Sequence, residues 1–194
     1  IEFGDIKLHV LAPDHDVAYE NKPKEPDELG VRSDDWYIDL RTLIDNVDDD
    51  DIDEGGTNSQ SIIILAECEG KKLLLPGDST PKKLCDALQS YNKTNGTPLE
   101  LDFMKLPHHG STRNVTKNIL NEVTCSNFII STKKNNKYYF PNKETIAKLI
   151  RYRDSADKAI NVYFNYQESL DVLGITAEEL TENNNLNVCN EFNF

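Results

Sequence analysis

The sequence predicts an α/β fold, a layered arrangement of helices packed on a sheet, and three observations predict it. Runs of β-branched and aliphatic residues alternate along the chain with runs of helical periodicity. Glycine, proline and asparagine fall at most of the junctions between them. The chain has 194 residues, 38% of them hydrophobic, which suits one domain with its own core and leaves little room for a second.

Taken in order, residues 5–11 alternate in polarity with a period of two and stop at Ala12-Pro13, as a half-buried strand does. Residues 14–32 hold prolines, charges and Gly30 with no apolar period, and read as a long loop that includes His15. Ser33 followed by Asp34 and Asp35 has the form of an N-cap with acids in the first turn. Trp36, Leu40, Leu43, Ile44 and Val47 then fall at helical spacing, which predicts a helix to about residue 46. Asp48 to Asp51, Asp53 and Glu54, then Gly55-Gly56, form an acidic run that reads as a flexible linker or exposed loop. It lacks the ordered alternation and closing Glu of a calcium loop.

Residues 61–67 and 71–75 are strands joined by Cys68-Glu69-Gly70 as a tight hairpin turn. Thr80-Pro81 opens a helix through Leu84, Ala87, Leu88 and Tyr91 that ends near Asn95-Gly96. Strands over 101–106, 127–131 and 159–164 then alternate with helices over about 114–122 and 142–153. A helix over 176–182 and Asn183-Asn184-Asn185 close the chain, so 1–175 reads as the domain and 176–194 as a polar, mobile tail.

Composition narrows the function classes. With 34 acidic and 21 basic residues the net charge is −13, which disfavours a broad nucleic-acid groove. The apolar runs are far shorter than the roughly 18 to 20 residues of a membrane span. Cys68, Cys85, Cys125 and Cys189 are scattered without Cys-x-x-Cys spacing, and read as buried thiols of a reducing compartment, with the cytoplasm as the default location.

Two junctions carry chemistry. Leu73-Leu74-Leu75-Pro76-Gly77-Asp78 delivers a carboxylate at the end of an apolar strand, where α/β folds collect ligands and metals. About thirty residues on, Met104-Lys105-Leu106-Pro107-His108-His109-Gly110-Ser111 places two histidines at the end of another strand. Adjacent loop histidines point to different sides, so one can meet a metal while the other moves a proton. Alone, Gly-Asp is more often a turn, and paired histidines are more often structural.

Together and in this order, Asn58-Ser59-Gln60-Ser61 running into Ile62-Ile63-Ile64-Leu65, then residues 72–78, then 101–111 resemble the later half of metallo-β-lactamase-fold proteins. Within them the chain resembles the branch found as the hydrolase domain of the bacterial DNA-uptake channel. The resemblance continues through Phe128-Ile129-Ile130-Ser131 and Tyr139-Phe140-Pro141 and covers about residues 1–165. It implies an αββα sandwich of which this chain supplies the C-terminal half. It places Asp78 as the bridging ligand of one or two divalent ions, zinc or manganese, that make a hydroxide nucleophile at neutral pH. It places His108 and His109 at the scissile group as acid, base or ligand, with His108 joining Asp78 at the metal. Ser111 and Asn58 brace the loops as side-chain caps.

Two departures accompany the match. The His-x-His-x-Asp-His run of the family's first metal cluster is absent from this chain, since only His9 and His15 lie outside the paired site. Phe140 stands where relatives often carry a histidine, so the second metal site lacks a ligand. The resulting expectation is a metal-dependent hydrolase of a phosphodiester, with nucleic acid or a small phosphodiester as substrate, that needs an N-terminal half from upstream or from a separate piece. The alternative is a degenerate domain acting as a regulatory or protein-interaction module in a larger assembly, and a third reading leaves the histidines purely structural. A lone half of a sandwich is also expected to expose an apolar sheet face and to fold poorly in isolation.

Overall fold

The computed structural model describes residues 1–13, 34–96, 98–135, 137–153, 158–183 and 185–190. The expected loop over 14–32, the Ser33 cap and His15 lie outside the described residues. The elements run β1 (Glu2–Phe3), β2 (Ile6–Ala12), α1 (Leu40–Asn46), β3 (Ile63–Cys68), β4 (Lys71–Leu75), α2 (Pro81–Asn95), β5 (Leu99–Glu100), β6 (Phe103–Lys105) and α3 (Lys117–Asn121). They continue as β7 (Val123–Thr124), β8 (Asn127–Ile130), α4 (Lys143–Tyr152), β9 (Ile160–Phe164), α5 (Gln167–Asp171), α6 (Ala177–Glu182) and β10 (Leu186–Cys189). The fold is α/β, as the alternation predicts.

One eight-stranded sheet carries the molecule, in the order β1-β2-β3-β4-β6-β8-β9-β10. Its first four strands are antiparallel neighbours, joined at β3–β4 by a tight turn whose Glu69 and Gly70 both take positive φ. From β4 onward every neighbouring pair is parallel. Because the strand order advances in one direction, successive right-handed crossovers put their helices on the same face.

The burial pattern agrees. On one face Leu65, Leu74, Met104, Phe128, Ile130, Val162 and Phe164 are buried in a single cluster with Leu40, Leu84, Leu88, Ile119, Ile146 and Leu149 of the helices. The opposite face is different. Cross-strand register aligns Ile6 with Cys68, Leu8 with Ala66 and Leu73, and Val10 with Ile64 and Leu75. None of these is buried, and Phe3, Ile6 and Val10 are 65%, 42% and 49% exposed. Among the described residues an apolar sheet face without a helical cover thus runs across β1 to β4, and half-buried Phe103, Ile129 and Tyr163 extend it across β6, β8 and β9.

Several elements depart from the sequence expectation. The first helix starts at Leu40, because Asp39 caps it by accepting from the Thr42 N–H, while Trp36 is drawn out of helical register by donating its indole N–H to the Pro141 carbonyl at 2.7 Å. The strand expected over 101–106 shortens to β6, because the Asp102 carboxylate turns back to accept from the Lys72 N–H and from Lys71, and β5, just before it, pairs with β7 in a separate ladder. The helix expected over 114–122 starts only after its Thr116 cap, since Asn114 is engaged elsewhere.

Of the segment read as a polar tail, residues 176–183 and 185–190 pack onto the fold. A Thr176/Glu179 capping box starts α6, buried Glu179 accepts from Lys143 and from the Leu40 N–H, and β10 adds to the sheet beside β9 with Leu186 buried. The acidic run is likewise no free linker. Asp49 accepts from the fully buried Lys148 and from the Lys117 N–H, Asp51 accepts from Arg113, and the Asp53 N–H donates to the Arg113 carbonyl. Asp49 and Asp51 thus meet donors from α3, α4 or the loop before α3, which isolated sequence cannot show. None of the four cysteines forms a disulfide, but Cys68 is exposed and the others half-buried, against the buried-thiol expectation. No helix among the described residues is long and apolar enough to cross a membrane.

Candidate functional site

The two predicted junctions meet at the C-terminal ends of neighbouring parallel strands, Asp78 after β4 and His108-His109 after β6, with Ser131 after β8 alongside. The backbone ties them directly, the His108 N–H donating to the Gly77 carbonyl at 3.1 Å. Gly77 takes φ +62, and a Cβ there would lie 3.3 Å from the Ile62 carbonyl oxygen and the Ser61 Cβ. The hairpin strand and the Asp78 turn therefore approach only across a glycine. His108 and His109 both hold left-handed backbone, φ 44 and φ 60, ahead of Gly110 at φ 79. Non-glycine residues pay for such conformations in strain, and strain of this kind gathers at functional sites.

The paired histidines have different surroundings. His109 is 44% exposed, its Nδ1 lies 2.9 Å from the Ser131 carbonyl, and its Nε2 lies 3.9 Å from Asp78 Oδ2, itself on a side chain 42% exposed. A carbonyl only accepts, so Nδ1 carries the hydrogen, and Nε2 is the ring atom that faces Asp78 and, in a neutral ring, is bare. This is how ligating histidines are commonly oriented, with one nitrogen fixed by a backbone carbonyl and the other open.

His108 is buried, and its Nδ1 faces Asn114 Oδ1 at 3.2 Å, Asn58 Nδ2 at 3.4 Å and Asp53 Oδ2 at 3.5 Å. Asp53 also accepts from Asn58 and Asn114, both at 2.8 Å, and from the Gly55 N–H. Burial pushes the Asp53 carboxyl up, but the hydrogen bonds from His108, Asn114, Asn58 and Gly55 outweigh it and hold the group well below the usual carboxylate range. The geometry thus brings His109, and not His108, to Asp78.

Residues around these pairs shape the site further. The Phe140 ring packs edge-on against His108 at 5.3 Å between centroids and lies 6.2 Å from His109, so an apolar ring occupies the space beside both imidazoles. Asn58 serves the Asp53–His108 contact instead of capping a turn. The Ser111 N–H donates to the His108 carbonyl, a brace made by backbone, and its side chain makes no cap bond. His9 lies on β2 and faces Glu67 at 3.5 Å, away from this cluster.

Asp53, Asn114 and Lys105 escaped the sequence reading. Asp53 sat inside a run that looked solvated, and Asn114 inside an expected helix. Lys105 had a signal, a charge in an otherwise apolar strand. Burial pushes its ammonium pKa down while the charge of Asp78 pulls it back, which marks Lys105 as a cation close to that carboxylate.

Whether zinc or manganese fits can be judged from the donors. One imidazole nitrogen and one carboxylate oxygen are suitable ligand types, but two donors fall short of the roughly four that zinc takes and the roughly six that manganese takes. Among the described residues no three His, Cys, Asp or Glu side chains gather as a metal-ligand set.

No family model matches the chain, and no solved structure matches it. It is distantly similar to Recombination protein 2 of Haemophilus influenzae, 29% identical over 100 residues, or 52% of this chain and 12% of that protein. It is also similar to ComE operon protein 3 of Bacillus subtilis, 24% identical over 100 residues, again 52% of this chain and 12% of the relative. The match thus spans a small part of the length of these relatives.

Proposed function

We propose that this chain contributes half of the active site of a metal-dependent hydrolase acting on a phosphodiester, within a metallo-β-lactamase-like sandwich completed by an N-terminal half. The observation that carries the proposal is the Asp78–His109 pair, an open carboxylate facing an oriented imidazole across the ends of two parallel strands. The apolar face across β1 to β4, which no described helix covers, supports a second sheet as the partner, since monomers rarely leave such a surface to water. The distant similarity to Recombination protein 2 favours nucleic acid as the substrate class, and a role in DNA uptake follows from the resemblance at Pro107-His108-His109-Gly110-Ser111.

In this reading Asp78 and His109 hold the ion together with ligands from the N-terminal half. A bound zinc or manganese would supply Lewis acidity and a hydroxide at neutral pH. Lys105 provides local positive charge against an anionic substrate, which a chain of net charge −13 otherwise repels. Phe140 excludes water beside the histidines.

The test uses the intact protein, measuring zinc and manganese content and cleavage of DNA and of a small aryl phosphodiester. Asp78→Ala and His109→Ala should each lower metal content and cut hydrolysis by on the order of a hundredfold or more. Unchanged metal stoichiometry and activity would sink the assignment. Phe140 also favours a second reading, a degenerate domain with a regulatory or interaction role. An intact protein that takes up no metal, and gains affinity in Phe140→His, would support that reading.

A further inference from the structure

We propose that Asp53 is a positioning residue that, acting through Asn114, holds His108 as the Nδ1–H tautomer and so presents a bare Nε2 to whatever the site binds. The tautomer follows from hydrogen-bond geometry alone, and only its use in hydrolysis rests on the function proposed above.

The assignment starts at Asn114. Its Nδ2 lies 2.8 Å from Asp53 Oδ2 and 3.0 Å from the Ser79 carbonyl oxygen. Both partners are pure acceptors, so the amide nitrogen must occupy that side and the amide cannot flip. Its Oδ1 is thereby turned onto His108 Nδ1 at 3.2 Å. An oxygen facing a ring nitrogen at that distance requires the hydrogen on the ring.

The remaining neighbours agree. Asp53 Oδ2, 3.5 Å from Nδ1, is a second acceptor. Asn58 Nδ2 is the one donor nearby, but at 3.4 Å it is farther from Nδ1 than the Asn114 oxygen and lies closer to Asp53, at 2.8 Å. A bare Nδ1 would set its lone pair against two oxygens in a pocket where side-chain exposure is 11% for His108 and 8% for Asp53, an arrangement that buried polar groups avoid.

The consequence is chemical. A neutral His108 held this way accepts at Nε2 and cannot donate from it. Of the roles left open by the sequence, ligand and base remain for the neutral ring, and acid does not. His109 reaches the same tautomer by another device, the Ser131 carbonyl. The acidic run therefore serves the site through Asp53, from a segment whose sequence resembles a solvated linker.

The experiment is side-chain proton–nitrogen correlation NMR on the intact protein labelled with 15N-histidine, at a pH where the rings are neutral. The His108 signals, identified by their loss in His108→Gln, should show a protonated Nδ1 and a bare Nε2. In Asp53→Ala, and equally in Asn114→Ala, the pattern should shift toward the Nε2–H form. Asp51→Ala, which loosens the same run at Arg113 but leaves the network alone, should keep the wild-type pattern. An Nε2–H pattern in the unmodified protein overturns the proposal, and so does an equal shift in Asp51→Ala and Asp53→Ala. If Asp53→Ala does not fold, Asn114→Ala and the unmodified pattern decide. Absence of hydrolysis with the predicted tautomer in place would remove the hydrolase reading and leave the positioning role standing.

Discussion

Asp53 and Asp78 both stand beside the paired histidines, and the protein treats them in opposite ways. Asp53 is buried, accepts from two asparagines and a backbone N–H, and faces an equally enclosed His108. Asp78 is 42% exposed and faces His109 at 3.9 Å, too long for a hydrogen bond. The difference separates two tasks: a satisfied carboxylate fixes geometry, whereas an open one remains available to a ligand. Asp35 makes a third case. It is buried, one oxygen accepts from the Glu144 N–H, and the other has no partner. Burial therefore raises its pKa to about 6 against the weaker pull of those backbone bonds. Donor supply, more than depth, decides the sign.

The largest stability effect should come from removing what anchors the acidic run. Lys148→Ala deletes a fully buried ammonium that bonds Asp49 and the carbonyls of Thr112 and Val115, at an expected cost of about 3 to 5 kcal/mol by chemical denaturation. Asp35 gives the next effect, with a pH signature. Its folded pKa lies above the ordinary 3.8, so ionisation penalises the folded state as pH rises from about 4 to 6, by about 3 kcal/mol in full. Asp35→Asn should relieve most of that above pH 6 and gain little at pH 4. Equal gains at both pH values would show that charge is not the cause.

Asp53→Ala should cost about 2 kcal/mol, because Asn58, Asn114 and the Gly55 N–H lose a buried acceptor. Its contribution has the opposite pH sense to that of Asp35, present above the usual carboxylate range and lost as acidification passes through the lowered folded value. The smallest effect belongs to Asp78→Ala, within about 0.5 kcal/mol by thermal or chemical unfolding, since among the described residues no hydrogen bond depends on its exposed side chain. A loss as large as that of Asp53→Ala would erase the contrast between the two carboxylates.

Much of the fold was legible because its signals are local. The β3–β4 hairpin follows from strong strand formers on either side of Glu69-Gly70, and α2 from Thr80-Pro81 and the spacing of Leu84, Ala87 and Leu88. The site was legible in part, since Asp78 and the paired histidines announce themselves as polar residues at the ends of apolar strands. Their partners were not. Which histidine meets Asp78 depends on left-handed backbone at positions 108 and 109 and on Ser131, which comes from another strand.

The sequence by itself determined the α/β class, the order of the central elements and the residues that carry the proposed chemistry, because periodicity, caps and turn residues act over a few positions. Tertiary structure alone decided the pairing of Asp53 with His108, the anchoring of the acidic run by Lys148, and the placement of β10 in the sheet. Each of these joins residues far apart in the chain, and a charge reads as solvated until the fold shows that a donor is waiting for it.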